Sequence, residues 1–393
     1  MKVAIVGCGY IADYYAATRA AHPDVEWAIA WDRDQTRLDA IARRWNVRAA
    51  RSLEEICDSR DVDIVLNLTN PRSHYDITAQ CIRAGKHVYS EKPLGMTAAQ
   101  SIQLADLADS RGVKLSSAPC SLLAESAQTL WHAIRSGAIG KVRLVYGNFE
   151  DGMIAPHRAP WTWQNEAGVP WPARDEFETG CTYEHAGYLL TWLAAFFGPA
   201  RSVTSFSSVQ IQDKGLELDD TAPDFSSGCL QYDDGIVARL TFGLVAPRDK
   251  SLTIVGDKGV LFVGHVRDDA FPVAVRYAEL SGWRGLLNSR LGFIDRFMSA
   301  RVNWPGTDVL FQRQYPFRRE PQGPYAAREK RVDFLRGASE LVDSIREDRE
   351  SRLSARLAAH VVELTERLQW PARFSSSGVT TSFPAIEPMP WAR

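Results

Sequence analysis

Short apolar runs and amphipathic stretches alternate in a regular rhythm over the first 120 residues. Residues 3–6, 26–31, 63–69, 87–90 and 114–117 read as buried strands, each a run of apolar and β-prone residues bounded by turn formers. Between them, residues 11–21, 35–44, 73–84 and 98–110 set apolar side chains three and four apart, the spacing of a helix with one buried face. Ala84-Gly85-Lys86 closes one of these helices with the glycine that a left-handed cap needs. Strands alternating with helices predict right-handed crossovers and a parallel sheet.

The rhythm changes after residue 120. A helix at 122–135 ends at Ser136-Gly137, and strands are predicted at 141–150, 202–210, 226–232, 236–244, 251–255 and 260–263. Asp233-Asp234-Gly235 and Gly256-Asp257-Lys258-Gly259 fit hairpin connections. Helical periodicity returns at 332–345 and 354–368. The expected class is α/β: a parallel-sheet domain over 1–120, then an α+β domain over 121–393 with a large open, mostly antiparallel sheet. The last helices are expected to pack back on the first domain.

Residues 266–325 break the pattern and are rich in arginine and aromatics: Trp283, Arg284, Arg290, Phe293, Arg296, Phe297, Arg301, Trp304, Phe311, Tyr315, Phe317, Arg318 and Arg319. Three readings stand for this stretch. It is an elaboration covering the sheet or an oligomer contact. Alternatively it is a site for a phosphate-bearing or nucleotide-linked sugar, since arginine forks phosphates and aromatics stack on rings. The third reading is an interfacial membrane contact through 283–298.

Composition narrows the functional classes. A chain of 393 residues exceeds one ordinary core, and 45% hydrophobic with 24% charged residues is the balance of a globular protein. A net charge of −2 favours neither nucleic acid nor an anionic membrane as partner. No apolar run approaches the length of a transmembrane helix, and the opening residues read as a core strand rather than a leader. Cys8, Cys57, Cys81, Cys120, Cys181 and Cys229 are scattered with no paired spacing, which points away from a disulfide framework or a metal site and toward a reducing, cytoplasmic setting.

The candidate chemistry begins directly after the first strand. Gly7-Cys8-Gly9-Tyr10-Ile11-Ala12 is a glycine-rich turn between a strand and a helix. Gly7 allows the tight turn, Gly9 lets backbone approach a pyrophosphate, and Ala12 stands where a third small residue keeps helix and strand close. Free amides and the positive helix end would meet the phosphates. Asp32, about twenty residues on, would accept hydrogen bonds from the adenosine ribose and repel a 2′-phosphate, which argues for NAD over NADP. Arg33 could stack on adenine or pair with a phosphate. Asn70-Pro71 shapes a turn after the next strand, and His74 caps the following helix or touches the cofactor. Glu91-Lys92-Pro93 ends a later strand and places a lysine at the ligand-binding edge of the sheet.

These motifs together, with Ala84-Gly85-Lys86-His87-Val88 and Gly137-Ala138-Ile139-Gly140-Lys141, resemble the Gfo/Idh/MocA oxidoreductases. The resemblance implies a Rossmann domain followed by an α/β domain whose sheet mediates oligomerisation, giving a homodimer or homotetramer. It also implies sugars, cyclitols or related polyols as substrates, oxidised or reduced with NAD(P). Lys92 matches the family lysine that lies near the reacting carbon, and Pro93 is expected to be cis. The family's helix motif, Gly-Gly-x-x-x-Asp-x-x-x-His-x-x-Asp, falls on residues 179–191, with Glu184, Tyr188 and Thr191 at the three functional positions. Some branches, similar to glucose–fructose oxidoreductase and dihydrodiol dehydrogenase, carry this tyrosine.

Glu184 and Tyr188 are four residues apart and share a helix face. Tyr188 can pass a proton to or from a sugar hydroxyl, and cationic Lys92 would lower its pKa. Glu184 would position a hydroxyl or hold Lys92 by an ion pair. His185 is a substrate-contact candidate, as are Trp161 and Trp163 in the tryptophan-rich loop at 160–172. The expected function is NAD-dependent hydride transfer on a free or nucleotide-linked sugar. Two alternatives stay open: a redox-neutral sugar-processing enzyme with transient oxidation, and a non-catalytic NAD-binding protein.

Overall fold

Parallel pairing organises the first half of the chain. In the computed structural model, which describes residues 1–154, 158–278, 312–316, 318–319 and 332–393, six strands form one sheet in the order β3-β2-β1-β4-β5-β6. They are β1 (Lys2–Val6), β2 (Glu26–Trp31), β3 (Arg48–Ala49), β4 (Ile64–Asn67), β5 (His87–Ser90) and β6 (Leu115–Ser117). Helices α1 (Ala12–Ala17), α2 (Gln35–Trp45), α3 (Leu53–Asp58), α4 (His74–Arg83) and α5 (Ala98–Arg111) connect them. Strands β1 and β4 are buried on both faces except for Lys2, which is why they read as unbroken apolar runs. The strand order reverses between β1 and β4, and the crevice outside their carboxyl ends is where such a sheet takes a ligand.

The second sheet has eight strands in the order β14-β13-β12-β11-β7-β10-β9-β8. They are β7 (Val142–Glu150), β8 (Ser202–Ser208), β9 (Phe225–Gln231), β10 (Val237–Gly243), β11 (Leu252–Gly256), β12 (Gly259–Val263), β13 (Val273–Tyr277) and β14 (Arg313–Gln314). All described pairings are antiparallel except β7 with β10. The expected class is therefore observed: a parallel Rossmann sheet followed by a mostly antiparallel one. Helix α6 (Glu125–Arg135) enters this half, α7 (Ala173–Thr179) and α8 (Cys181–Phe197) lie between β7 and β8, and α9 (Arg336–Arg346) and α10 (Ala355–Gln369) end it.

Helix α8 is buried along nearly its whole length. It crosses β7 so closely that a Cβ on Gly147 would meet Leu189 at 3.1 Å. Helix α10 wedges between the two halves: the Ala98 amide donates to Glu366 at 3.0 Å, and Arg356 reaches Asp109 at 2.6 Å. At its other end Gln369 accepts from the amide of Thr182 at 3.2 Å and donates to the Thr179 carbonyl at 2.8 Å. Helix α10 thus fixes the start of α8 against the first sheet.

Two short elements, β3 and α3, were not expected from the pattern, and neither were β13 and β14. Of the arginine- and aromatic-rich stretch, Trp283, Arg284, Arg290, Phe293, Arg296, Phe297, Arg301, Trp304, Phe311 and Phe317, together with the membrane reading at 283–298, lie outside the described residues. Among the described residues no helix is long and apolar enough to cross a membrane.

The glycine turn gives a direct test of local geometry. Gly7 sits at φ +93, and a Cβ there would stand 2.8 Å from the Leu68 backbone, whereas a Cβ on Gly9 meets nothing within 4 Å. Gly7→Ala is expected to destabilise by about 1–2 kcal/mol or more and Gly9→Ala to leave the melting temperature unchanged. Thermal denaturation of the two variants checks the contrast.

Candidate active site

One groove runs along the carboxyl edge of the first sheet and under α8. Its two ends share Gly9, Tyr10, Thr69, Asn70 and Trp171, with cavities of about 300 Å³ and about 270 Å³ on either side. The first end holds Gly7, Gly9, Asp32 and Arg33. Asp32 is fixed there by two backbone amides, Cys8 at 2.7 Å and Asp34 at 2.8 Å, with Arg37 Nη1 3.8 Å from its Oδ2. The open space at Gly9 and the fixed carboxylate at the end of β2 fit a dinucleotide, with its phosphates toward the turn and a ribose toward Asp32. The tryptophan loop closes over this end. Asn165 donates to the Tyr10 carbonyl at 3.0 Å, Asn70 hydrogen-bonds Asp175, and Trp171 and Pro172 line both cavities.

The second end is where the two halves of the chain meet. Lys92, just past β5, donates from Nζ to Oε2 of Glu184 in the first turn of α8, at 2.5 Å. The two side chains are only 18% and 13% exposed, so the pair is largely removed from solvent. Burial opposes the Lys92 charge, but Glu184 and Tyr188 outweigh it and raise its pKa above the ordinary lysine value. Glu184 is held below the usual carboxylate range: burial pushes it up, and Lys92 and a hydrogen bond from Glu176 pull it down. Glu176, on α7, is raised well above its ordinary value by burial and by the Glu184 charge. The two carboxyl groups therefore hold one proton between them, with Glu176 as the protonated donor.

Tyr188 lines the groove one turn along α8 from Glu184. Its ring stacks on Phe149 with centroids 5.1 Å apart, and the Arg267 guanidinium lies 5.4 Å from its centroid. Burial raises the Tyr188 pKa, with Arg267 and Lys92 pulling the other way. The expected lowering by Lys92 is thus present but is overcome by desolvation, which the sequence does not reveal.

His185 also lines this end. It stacks on Phe149 at 4.6 Å, and its Nε2 stands 3.4 Å from Asp151. Burial holds the imidazole pKa below its ordinary value. Lys250 reaches Asp151 at 2.6 Å. Burial would raise the Asp151 pKa, but His185 and Lys250 hold it well below the usual carboxylate range.

Gly7, Gly9, Tyr10, Ile11, Asp32, Arg33, Asn70, Pro71, Glu91, Lys92, Trp163, Glu184, His185 and Tyr188 all line the groove. Ala12 lies fully buried beneath it. Pro93, joined to Lys92 by a cis peptide, and Thr191 line a small separate cavity behind Lys92. Two expected positions differ. His74 does not reach the groove: its ring nitrogens stand 2.7 Å and 2.8 Å from the carbonyl oxygens of Pro93 and Thr69, where it ties together the two loops that form the floor. Trp161 packs on Gly215 and does not line the groove, whereas Trp171 does. Arg318 points to α6, with Nη2 2.6 Å from His132, and neither it nor Arg319 lines the groove.

Glu176, Asp151, Arg267, Phe334 and Arg37 were not foreseen. Glu176 is cut off from the α8 pattern by the break at Gly180, and the others arrive from distant segments with no periodic relation to the motif. Arg267, at the near edge of the arginine-rich stretch, carried the only compositional signal.

Comparison with known proteins agrees with this fold. Residues 1–118 match the family model described as oxidoreductase family, NAD-binding Rossmann fold (GFO_IDH_MocA), and residues 127–262 match the GFO/IDH/MocA C-terminal domain. The chain is 26% identical over 264 residues to the trans-1,2-dihydrobenzene-1,2-diol dehydrogenase of Mus musculus, covering 66% of this chain and 73% of that one. Among solved structures it superposes on the WlbA dehydrogenase from Bordetella pertussis, in complex with NADH and UDP-GlcNAcA, with a TM-score of 0.67, 19% identity and 98% of each chain covered. It also superposes on the aldose-aldose oxidoreductase from Caulobacter crescentus, with a TM-score of 0.68, 19% identity, and 95% of this chain and 97% of that one covered.

The shared proton makes a prediction with a definite sign. A raised carboxyl pKa means that the folded state keeps a proton the unfolded chain loses, so stability declines as pH rises from the ordinary glutamate value toward the raised one. Glu176→Gln keeps the donor without this dependence. Between about pH 5 and 8 its melting temperature should fall less than that of the wild type, and Glu176→Ala should be the least stable at the acidic end.

Proposed function

The chain belongs to the GFO/IDH/MocA oxidoreductase family, and we propose that it transfers hydride between nicotinamide and a CH–OH or carbonyl carbon of a sugar or sugar derivative, with NAD as cofactor. The observation that carries this reading is the meeting of Lys92, Glu184 and Tyr188 on the wall of a groove whose other end is the glycine turn and Asp32. Gly7, Gly9 and Asp32 would hold the dinucleotide, which when bound would supply the hydride-transfer chemistry.

The remaining steps fall to the chain's own side chains. In reduction, Tyr188 donates its phenolic proton to the carbonyl oxygen as that oxygen becomes a hydroxyl. Burial keeps the phenol protonated at neutral pH, so it is ready for that role. Lys92, fixed as an ammonium by Glu184, offers its other N–H groups to the charge developing on the same oxygen. In oxidation Tyr188 must first release its proton, which alkaline pH favours. Trp163 and Trp171, with ring centroids 5.4 Å apart, give an apolar wall suited to one face of a sugar ring.

Asp32 supports NAD, because a carboxylate held by two backbone amides cannot swing away from a 2′-phosphate. The bond from Asn165 to the glycine turn favours a second reading, in which cofactor is retained under the loop and the reaction is redox-neutral. The sheet face turned away from α8 presents Leu144 and Phe206, and a homodimer or homotetramer would form there.

Tyr188→Phe and Lys92→Ala should each lower turnover by about 10²-fold or more while NADH still binds. Wild-type oxidation should speed up as pH rises above neutral, with net NADH accumulation. Full turnover in both variants would refute the catalytic roles, and turnover without net NADH would favour the redox-neutral reading. Binding titrations should give NAD an advantage over NADP of about tenfold or more, and Asp32→Ala should narrow it.

A further inference from the structure

The residue not used by this mechanism is Arg267. It follows β12 and enters the substrate end of the groove, where its guanidinium carbon lies 5.4 Å from the Tyr188 ring centroid and 5.8 Å from that of Phe334. Two aromatic faces hold the plane of the group without supplying a counter-charge. No carboxylate of the described residues is an ion-pair partner within 4.0 Å, and Asp151 and Glu91 act on it only at longer range.

The neighbouring charges are already matched. Glu184 takes Lys92 at 2.5 Å, and Asp151 takes Lys250 at 2.6 Å. Glu91 accepts the Tyr15 hydroxyl at 2.6 Å and the Lys92 amide at 3.0 Å. Among the described residues lining this end, Arg267 is the cation with no carboxylate of those residues as an ion-pair partner within 4.0 Å. A half-buried guanidinium with its fork free is costly to desolvate alone and suits a planar or tetrahedral set of anionic oxygens. The glycine turn already offers amides to cofactor phosphates, whereas Arg267 stands with the proton-handling groups.

We infer that the substrate carries an anionic oxygen group, a carboxylate or a phosphoryl group, which Arg267 receives beside Tyr188. This rests on the hydride-transfer reading and narrows its substrate class to acidic or phosphorylated sugars. Arg318 and Arg319 take no part, since neither lines the groove.

Binding to the preformed enzyme–NADH complex tests this without requiring turnover. A panel of hexoses, the matching uronates and the matching 6-phosphates is titrated by calorimetry. The anionic members should bind at least about tenfold tighter than their neutral parents, and whichever anionic set is favoured identifies carboxylate or phosphoryl as the group. Arg267→Gln should erase the preference, and Arg267→Lys should retain part of it, with NADH affinity and melting temperature confirming that both variants fold. The inference is overturned if the wild type shows no preference, or if the preference survives Arg267→Gln. A role limited to tuning Tyr188 would move only the pH dependence of turnover and leave the affinity ratio intact, which also overturns it. Anion preference without NADH formation would instead sink the hydride-transfer reading alone.

Discussion

The ion pair between Lys92 and Glu184 is the contact on which the site depends. Each partner is placed by a different half of the chain: Lys92 by the end of β5, Glu184 by the first turn of α8. The pair therefore exists only when the two halves are packed. Helix α10 enforces that packing, because it touches α5 along its length and caps the start of α8 through Gln369. Such a pair gains little net stability once its desolvation is counted. Its value lies in holding a cation at one point of the groove.

Desolvation and charge compete throughout this groove, and the winner differs from residue to residue. Lys92 stays charged because Glu184 outweighs burial, while Tyr188 stays protonated because burial outweighs Arg267 and Lys92. Glu176 keeps a proton that an exposed glutamate would lose. The groove thus presents a fixed cation and a neutral proton donor side by side, a combination suited to a carbonyl oxygen gaining negative charge.

Much of the fold was legible because buried parallel strands must be apolar and turns must use glycine. The strands of the first sheet, the turn at Gly7 and Gly9, Asp32 at the end of β2 and Lys92 beyond β5 all follow from that constraint. Strand β3, two residues long, is too short to leave a period. Within the site, the i, i+4 spacing of Glu184 and Tyr188 put both on one face, but spacing stops at Gly180 and could not reach Glu176. The tryptophan loop showed that aromatics were gathered, yet not which rings turn inward, so Trp161 was expected where Trp171 stands. Neighbouring charges can be guessed from motifs, whereas burial cannot, and that is why the direction of the Tyr188 shift was missed.

The most direct measurement is a double-mutant cycle on the bridging pair, comparing turnover in Lys92→Met, Glu184→Gln and the combined variant. If Lys92 and Glu184 act as one unit, each single substitution removes most of the activity and the double variant is no worse than the weaker single. Losses that multiply independently would contradict the central place given to this ion pair.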